Sequence, residues 1–153
     1  MKLHTKHFGE VNIREEDIIV FEYGLPAFEE EREFVLLPFG QETAFHILQS
    51  IHTSPLAFIV TDPFSFFPDY EVVLSDNVIE QLSLEKEEDV AVLSVLTVQD
   101  PFKKTTANLQ APIILNSPKK IAKQYVMNDS IYSPKHYLFP QEERSASGME
   151  GDR

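Results

Sequence analysis

The feature that most constrains this chain is a series of short apolar runs, each rich in branched and aromatic residues and each closed by turn formers. They are Ile18-Ile19-Val20-Phe21, Phe34-Val35-Leu36-Leu37, Ala44 to Ile51, Leu56-Ala57-Phe58-Ile59-Val60 and Val90 to Val98. Such side chains pack well on a pleated surface and lose rotamer freedom in a helix, so these runs read as strands. Pro112 to Leu115 and Ile121 to Val126 read as two more, joined by the turn-like Asn116-Ser117-Pro118-Lys119-Lys120. Residues 2–8 read as an opening strand ended by Gly9-Glu10, and Glu71 to Leu74 is a further candidate.

Helix signals are sparse. Ser75 can cap a helical turn from Asp76 to Leu84, with Val78, Ile79 and Leu82 at helical spacing. A second short helical turn is expected after Leu25-Pro26, where Glu29-Glu30-Glu31 would lie near the positive end of its dipole. Many short strands with one or two short helices predict an all-β fold, a small barrel or sandwich. The motif V-x-D-P-F closes two apolar runs, at Val60 to Phe64 and Val98 to Phe102. Proline cannot continue a ladder and Asp before it makes a side-chain turn, so both copies read as strand terminators.

The chain has 153 residues, 42% of them hydrophobic and 25% charged, a globular balance that suits one domain. From Gln141 onward apolar residues are few, so residues 1–140 read as a single domain and 141–153 as a disordered acidic tail. There is no cysteine, which excludes disulfides and thiolate metal sites and fits a reducing compartment. The first residues carry no apolar signal core and no run approaches a membrane span, so a cytoplasmic protein is expected.

The net charge of −12 is unevenly placed. Residues 34–100 hold 11 acids against Lys86 alone, whereas residues 101–140 hold six lysines against Asp129. The acidic body repels phosphate backbones, which argues against direct nucleic-acid binding, and it would attract a basic protein partner. The plainer reading is that acidity serves solubility.

Chemistry-bearing motifs are scarce. The histidines (His4, His7, His46, His52 and His136) lack zinc-site spacing, so no metal or cofactor is expected. Glycine-rich phosphate loops and G-x-S-x-G are absent. The carboxylates are clustered as in solvated turns, although a small barrel hydrolase using a carboxylate pair stays the alternative. An enzyme is not expected.

Three segments stand out as candidate binding elements. In Phe21 to Glu29, Gly24 and Pro26 can shape a rigid projection flanked by Leu25 and Phe28. In Thr106 to Asn116, Asn108 and Asn116 bracket a strand whose Pro112 argues for an edge or a bulge. The plainer readings are a turn folding into the core and a turn–strand–turn unit held by Asn side chains. The irregular cluster Phe64-Ser65-Phe66-Phe67-Pro68, with Tyr70, could line an apolar groove or fill the core.

Together these segments resemble the flagellar assembly factor FliW family. The matching stretches are Gly24-Leu25-Pro26-Ala27-Phe28-Glu29, Phe45-His46-Ile47-Leu48-Gln49-Ser50, Phe58 to Phe64, and Asn108-Leu109-Gln110-Ala111-Pro112-Ile113-Ile114-Leu115-Asn116. They occur in the family's order across residues 8 to about 138, with Ala27 standing where the family more often has Gly. The resemblance implies a small β-barrel-like fold and a partner-switching role. Family members bind newly made flagellin in the cytoplasm and also bind CsrA, a translational repressor of flagellin mRNA. Flagellin occupies the protein while abundant; once flagellin is exported, CsrA is sequestered and translation resumes. The candidate partner-binding residues are Leu25, Pro26, Phe28, Glu29, Phe64, Phe66, Phe67, Tyr70, Asn108, Leu109, Pro112 and Asn116, with a terminal amphipathic helix of flagellin as the expected occupant of an apolar groove.

Overall fold

The computed structural model describes residues 1–39, 44–128 and 130–141. A hairpin of β1 (Lys2–Thr5) and β2 (Gly9–Asn12) comes first, followed by β3 (Ile18–Phe21), β4 (Glu33–Pro38), β5 (Phe45–Ser50) and β6 (Ala57–Thr61). The helix α1 (Asp76–Gln81) precedes β7 (Val90–Thr97), β8 (Thr106–Ala107), β9 (Ile113–Asn116), β10 (Ile121–Gln124) and β11 (His136–Tyr137). Hydrogen bonding runs β7-β6-β5-β4-β3-β10-β9, and β9 pairs back onto β7, closing a seven-stranded barrel. The β3–β10 pair is parallel and the other six contacts of the ring are antiparallel. Closure removes the sheet edges that an open form of these strands would expose. The all-β, barrel-like expectation therefore holds, with very little helix.

Strand alternation sorts the apolar residues into an inside and an outside. Ile19, Phe21, Phe34, Leu48, Val60, Leu93, Ile113, Leu115 and Ala122 fill the barrel. Outside it, Leu3 and Ile13 of the opening segment pack on Val35, and Val78 and Leu82 pack on Ile114. A third outer cluster gathers Tyr70, Leu96, Ala107, Leu109 and Leu138. Ser75 caps α1 as its sequence suggests, its hydroxyl accepting from the Val78 amide at 3.2 Å.

Five local expectations need correction. Gly9-Glu10 does not end the first strand; it begins β2, because Gly9 takes a φ of +66° and turns the chain back on itself. Glu71 to Leu74 has strand composition but pairs with no strand among the described residues. The helix ends at Gln81 rather than Leu84, where Ser83 adopts a φ of +52°. No helical turn follows Leu25-Pro26; Leu25 and Phe28 instead exchange backbone hydrogen bonds across a tight turn. Pro112 does not mark an edge, since β9 is paired on both sides and Pro112 lies just before its first ladder residue. Both D-P-F motifs end a strand in a single 3-10 turn, at Pro63–Ser65 and Phe102–Lys104. The expected tail lies, apart from Gln141, outside the described residues.

Candidate partner-binding surface

The outer aromatic cluster begins where β6 is stopped. Asp62 accepts from the Phe64 amide at 2.9 Å, and Pro63 starts the 3-10 turn. The Phe67 amide reaches back to the Pro63 carbonyl at 2.8 Å and the Tyr70 amide to the Phe67 carbonyl at 3.0 Å. This wound loop throws successive aromatic side chains against the barrel's outer wall. Phe66 stacks on Phe45 at 5.8 Å and meets Phe139 edge-on at 5.9 Å. Tyr70 lies against Tyr132 at 4.7 Å, and Phe67 and Tyr132 both face His136 at about 6 Å. Phe64 is tilted over Tyr70 and stays 42% exposed.

Between this loop and the Ile131–His136 segment lies an open groove of about 370 Å³, walled by Phe66, Phe67, Tyr70, Leu109, Tyr132 and His136. Its floor is fixed: the Tyr70 hydroxyl donates to the Leu109 carbonyl at 2.7 Å. Burial, with Tyr132 adding to it, pushes the Tyr70 hydroxyl far above its usual titration range, so it remains a donor. His136 Nε2 accepts the Ser133 amide at 2.9 Å, which places the ring proton of the neutral form on Nδ1. Ile131, Tyr132 and His136 carry no sequence signal. They sit in a polar stretch without periodicity, and only the fold brings them to the Phe cluster.

The Leu25–Phe28 turn forms a separate feature. Gly24 has a φ of +66°, and a Cβ there would overlap the Glu29 backbone, so no other residue fits. Leu25 is buried and belongs to the barrel interior, whereas Phe28 is 41% exposed and edge-on to Phe58 at 5.9 Å. Leu25, Pro26, Phe28 and Asn108 share a cavity of about 90 Å³ with Phe58 and Gln124. Glu29 is exposed beside it.

The structure thus brings Phe66, Phe67, Tyr70 and Leu109 to one groove, with Phe64 outside its lining but against Tyr70, and Leu25, Pro26, Phe28 and Asn108 to a second, smaller place. Pro112 and Asn116 lie elsewhere, both buried. Asn116 is 2% exposed and donates to the carbonyls of Leu82 at 2.8 Å and Ser83 at 3.2 Å. Asn108 accepts from the Gln110 and Ala111 amides at 3.1 and 3.0 Å. Both asparagines therefore organise the backbone, as the plainer reading of that segment had it. Leu109, 2% exposed, floors its groove from within.

Electrostatically the surface keeps its acidity. Among the described residues, Glu85 is the only acid from Asp62 to Asp100 within ion-pair distance of a base, at 3.5 Å from Lys119. Among the described residues, the two carboxylates displaced from their ordinary range, Asp17 beside Arg14 and Glu31 beside Thr53 and Ser50, are both held lower, which favours the ionised form. A general acid needs the opposite displacement. Among the described residues no group of three His, Asp or Glu side chains is placed to hold a metal ion, and no helix is long and apolar enough to cross a membrane.

Comparison with known proteins places the chain. A sequence model described as "FliW protein" matches residues 2–138. The "Flagellar assembly factor FliW" of Geobacillus kaustophilus is 51% identical over 141 residues, covering 92% of this chain and 97% of that protein. The protein of the same name from Bacillus subtilis is 48% identical over 136 residues, covering 89% and 95%. A solved "Crystal structure of the flagellar assembly factor FliW" superposes with a TM-score of 0.88 at 50% identity, covering 92% of this chain and 99% of that one. A closed barrel carrying the Gly24–Glu29 turn and the Asn108–Asn116 unit, matched over nearly its whole length, belongs to the FliW family.

Proposed function

We propose that this protein is a flagellar assembly factor that acts in the cytoplasm by binding, without chemistry of its own. It holds newly made flagellin through that subunit's terminal amphipathic helix. When flagellin is exported, it binds CsrA and relieves repression of flagellin mRNA translation. The observation that carries this reading is the aromatic groove between Phe64–Tyr70 and Ile131–His136 on a chain whose relatives are named flagellar assembly factors.

Two physical points support it. An apolar helix face laid into a groove of rigid aromatic rings gains buried area at small rotamer cost; Phe67 and Tyr132 line the groove, and the exposed Phe64 ring beside Tyr70 can extend the contact. Among the described residues a single acid of the stretch from Asp62 to Asp100, Glu85, is ion-paired, and the uncompensated charge of the rest favours a basic, RNA-binding partner. A small-barrel hydrolase would need a carboxyl group held protonated, and the displaced carboxylates are shifted the other way.

Isothermal titration of the full chain with a peptide of flagellin's terminal helix tests the reading. Phe64→Ser, which changes an exposed ring without touching the barrel, is expected to weaken binding about tenfold, equivalent to about 1.4 kcal/mol. Absence of binding heat with both the flagellin peptide and CsrA would overturn the proposal.

A further inference from the structure

Three hydrogen bonds in series frame the aromatic groove. The Tyr70 hydroxyl donates to the Leu109 carbonyl at 2.7 Å, the Leu109 amide donates to the Ser133 carbonyl at 3.2 Å, and the Ser133 amide donates to His136 Nε2 at 2.9 Å. Leu109 and Ser133 are each bonded on both sides, so the loop after β6, the turn before β9 and the segment before β11 are tied in one line. The ends of that line also meet. The His136 ring lies edge-on to Phe67 at 6.2 Å, and the Phe67 carbonyl accepts from the Tyr70 amide at 3.0 Å. The frame is therefore a closed circuit around the floor and both walls.

One member of the circuit changes charge near neutral pH. Tyr70 stays protonated far beyond it, whereas an imidazole gains its second proton between about pH 8 and 5. A neutral ring accepts through Nε2; an imidazolium carries hydrogen on both nitrogens and accepts nothing. Protonation would thus set Nε2–H against the Ser133 N–H, donor against donor. The charged groups around the ring are few. Among the described residues, Asp69 is the carboxylate that lines the groove with it, the Tyr70 and Tyr132 side chains line it as neutral phenols, and the exposed Lys135 adjoins the ring in sequence. The β8 residues paired beside β11, Thr106 and Ala107, bring no charge.

We propose that His136 is a pH-operated latch of the groove: neutral, it closes the frame on Ser133, and protonated, it frees the Ile131–Pro134 wall from the Leu109 floor. The bond needs the neutral ring, so the latch is complete at the alkaline end of the imidazole range and is lost as pH falls through it. The latch follows from the frame alone; its effect on binding rests on the groove being the helix site.

The test is an NMR titration of the full chain from pH 8 to 5, following the His136 ring and the Leu109 and Ser133 amides, in the parent, His136→Phe and Asp69→Asn. In the parent both amides are expected to move with the midpoint of the His136 ring, and the Leu109 amide to exchange at least fivefold faster at the acid end after correction for its intrinsic rate. His136→Phe keeps a ring against Phe67 and Tyr132 but removes the acceptor, so both amides should hold still across the range. Asp69→Asn should keep the parent's coupled transition. Amides that stay fixed while the parent's His136 ring titrates overturn the proposal, as do amides that still move in His136→Phe. A second measurement reads the groove itself. A histidine-free amphipathic helix peptide is expected to bind the parent at least threefold more weakly at pH 5.5 than at pH 7.5, and His136→Phe equally at both. Equal parent affinity at the two values overturns the latch's control of the groove. Failure of the peptide to bind at either value would overturn the helix reading and leave the amide criterion to decide the latch.

Discussion

The hydroxyl of Tyr70 donates to the backbone carbonyl of Leu109 across 2.7 Å, joining the aromatic loop after β6 to the turn before β9, 39 residues further along the chain. Through that bond the floor and one wall of the groove become one unit. Removing it by Tyr70→Phe leaves a buried carbonyl without a donor and is expected to cost roughly 1–3 kcal/mol. The pH dependence changes as well. Tyr70 titrates above its unfolded value, so its contribution is fully present below about pH 10 and is lost as pH rises beyond it. Denaturant unfolding of Tyr70→Phe between pH 9 and 11 should show a flatter decline than the parent.

Asn116 ties the end of α1 to the β9–β10 hairpin, bonding the Leu82 and Ser83 carbonyls while accepting from the Lys119 amide at 3.2 Å. Asn116→Ala removes three hydrogen bonds at a site 2% exposed. A loss of roughly 2–4 kcal/mol is expected, read from urea midpoints at unchanged m-value. A loss under about 0.5 kcal/mol would show that α1 is held by its apolar face alone.

Ala27 sits at a φ of +71°, the left-handed region that disfavours a Cβ. Ala27→Gly relieves that strain and gives back part of the gain through a more flexible unfolded chain. The net expectation is a stabilisation of up to about 1 kcal/mol, measured as a higher thermal midpoint. A lower midpoint would mean that unfolded-chain entropy dominates at this turn.

Glu31 accepts from Thr53 Oγ1 at 2.6 Å and Ser50 Oγ at 2.7 Å, and these bonds, Thr53 foremost, hold its carboxyl below the ordinary value of 4.5. A lowered folded value means the stabilisation is fully present above the unfolded value and is lost as pH falls through the folded one. Glu31→Gln should therefore be less stable than the parent at pH 7, with the difference shrinking toward pH 3. A difference constant from pH 7 to pH 3 would contradict the assignment.

The barrel was largely legible because its strands are apolar, branched and punctuated: Ile18–Phe21, Glu33–Pro38 and Val90–Thr97 all lie where composition puts them. The two-residue strands β8 and β11 were not, since Thr106–Ala107 and His136–Tyr137 are too short to show a period; β8 exists because β7 offers it a partner, and β11 because β8 does. Glu71–Leu74 shows the reverse case, with strand chemistry but no neighbour to complete a ladder. At the groove, the Phe64–Phe67 cluster announced itself between two prolines. Tyr132 and His136 did not, because their proximity to Tyr70 and Phe67 is made by the return of the chain after β10.

The proposed role gives one acidic barrel two competing partners, flagellin and CsrA, with the aromatic groove as the flagellin site. The most direct measurement is a competition titration, in which the protein saturated with the flagellin terminal-helix peptide is titrated with CsrA, alongside Phe64→Ser. The peptide is expected to weaken CsrA binding at least tenfold in the parent and markedly less in Phe64→Ser, because the variant holds the peptide poorly. Equal CsrA affinity with and without saturating peptide would contradict the claim.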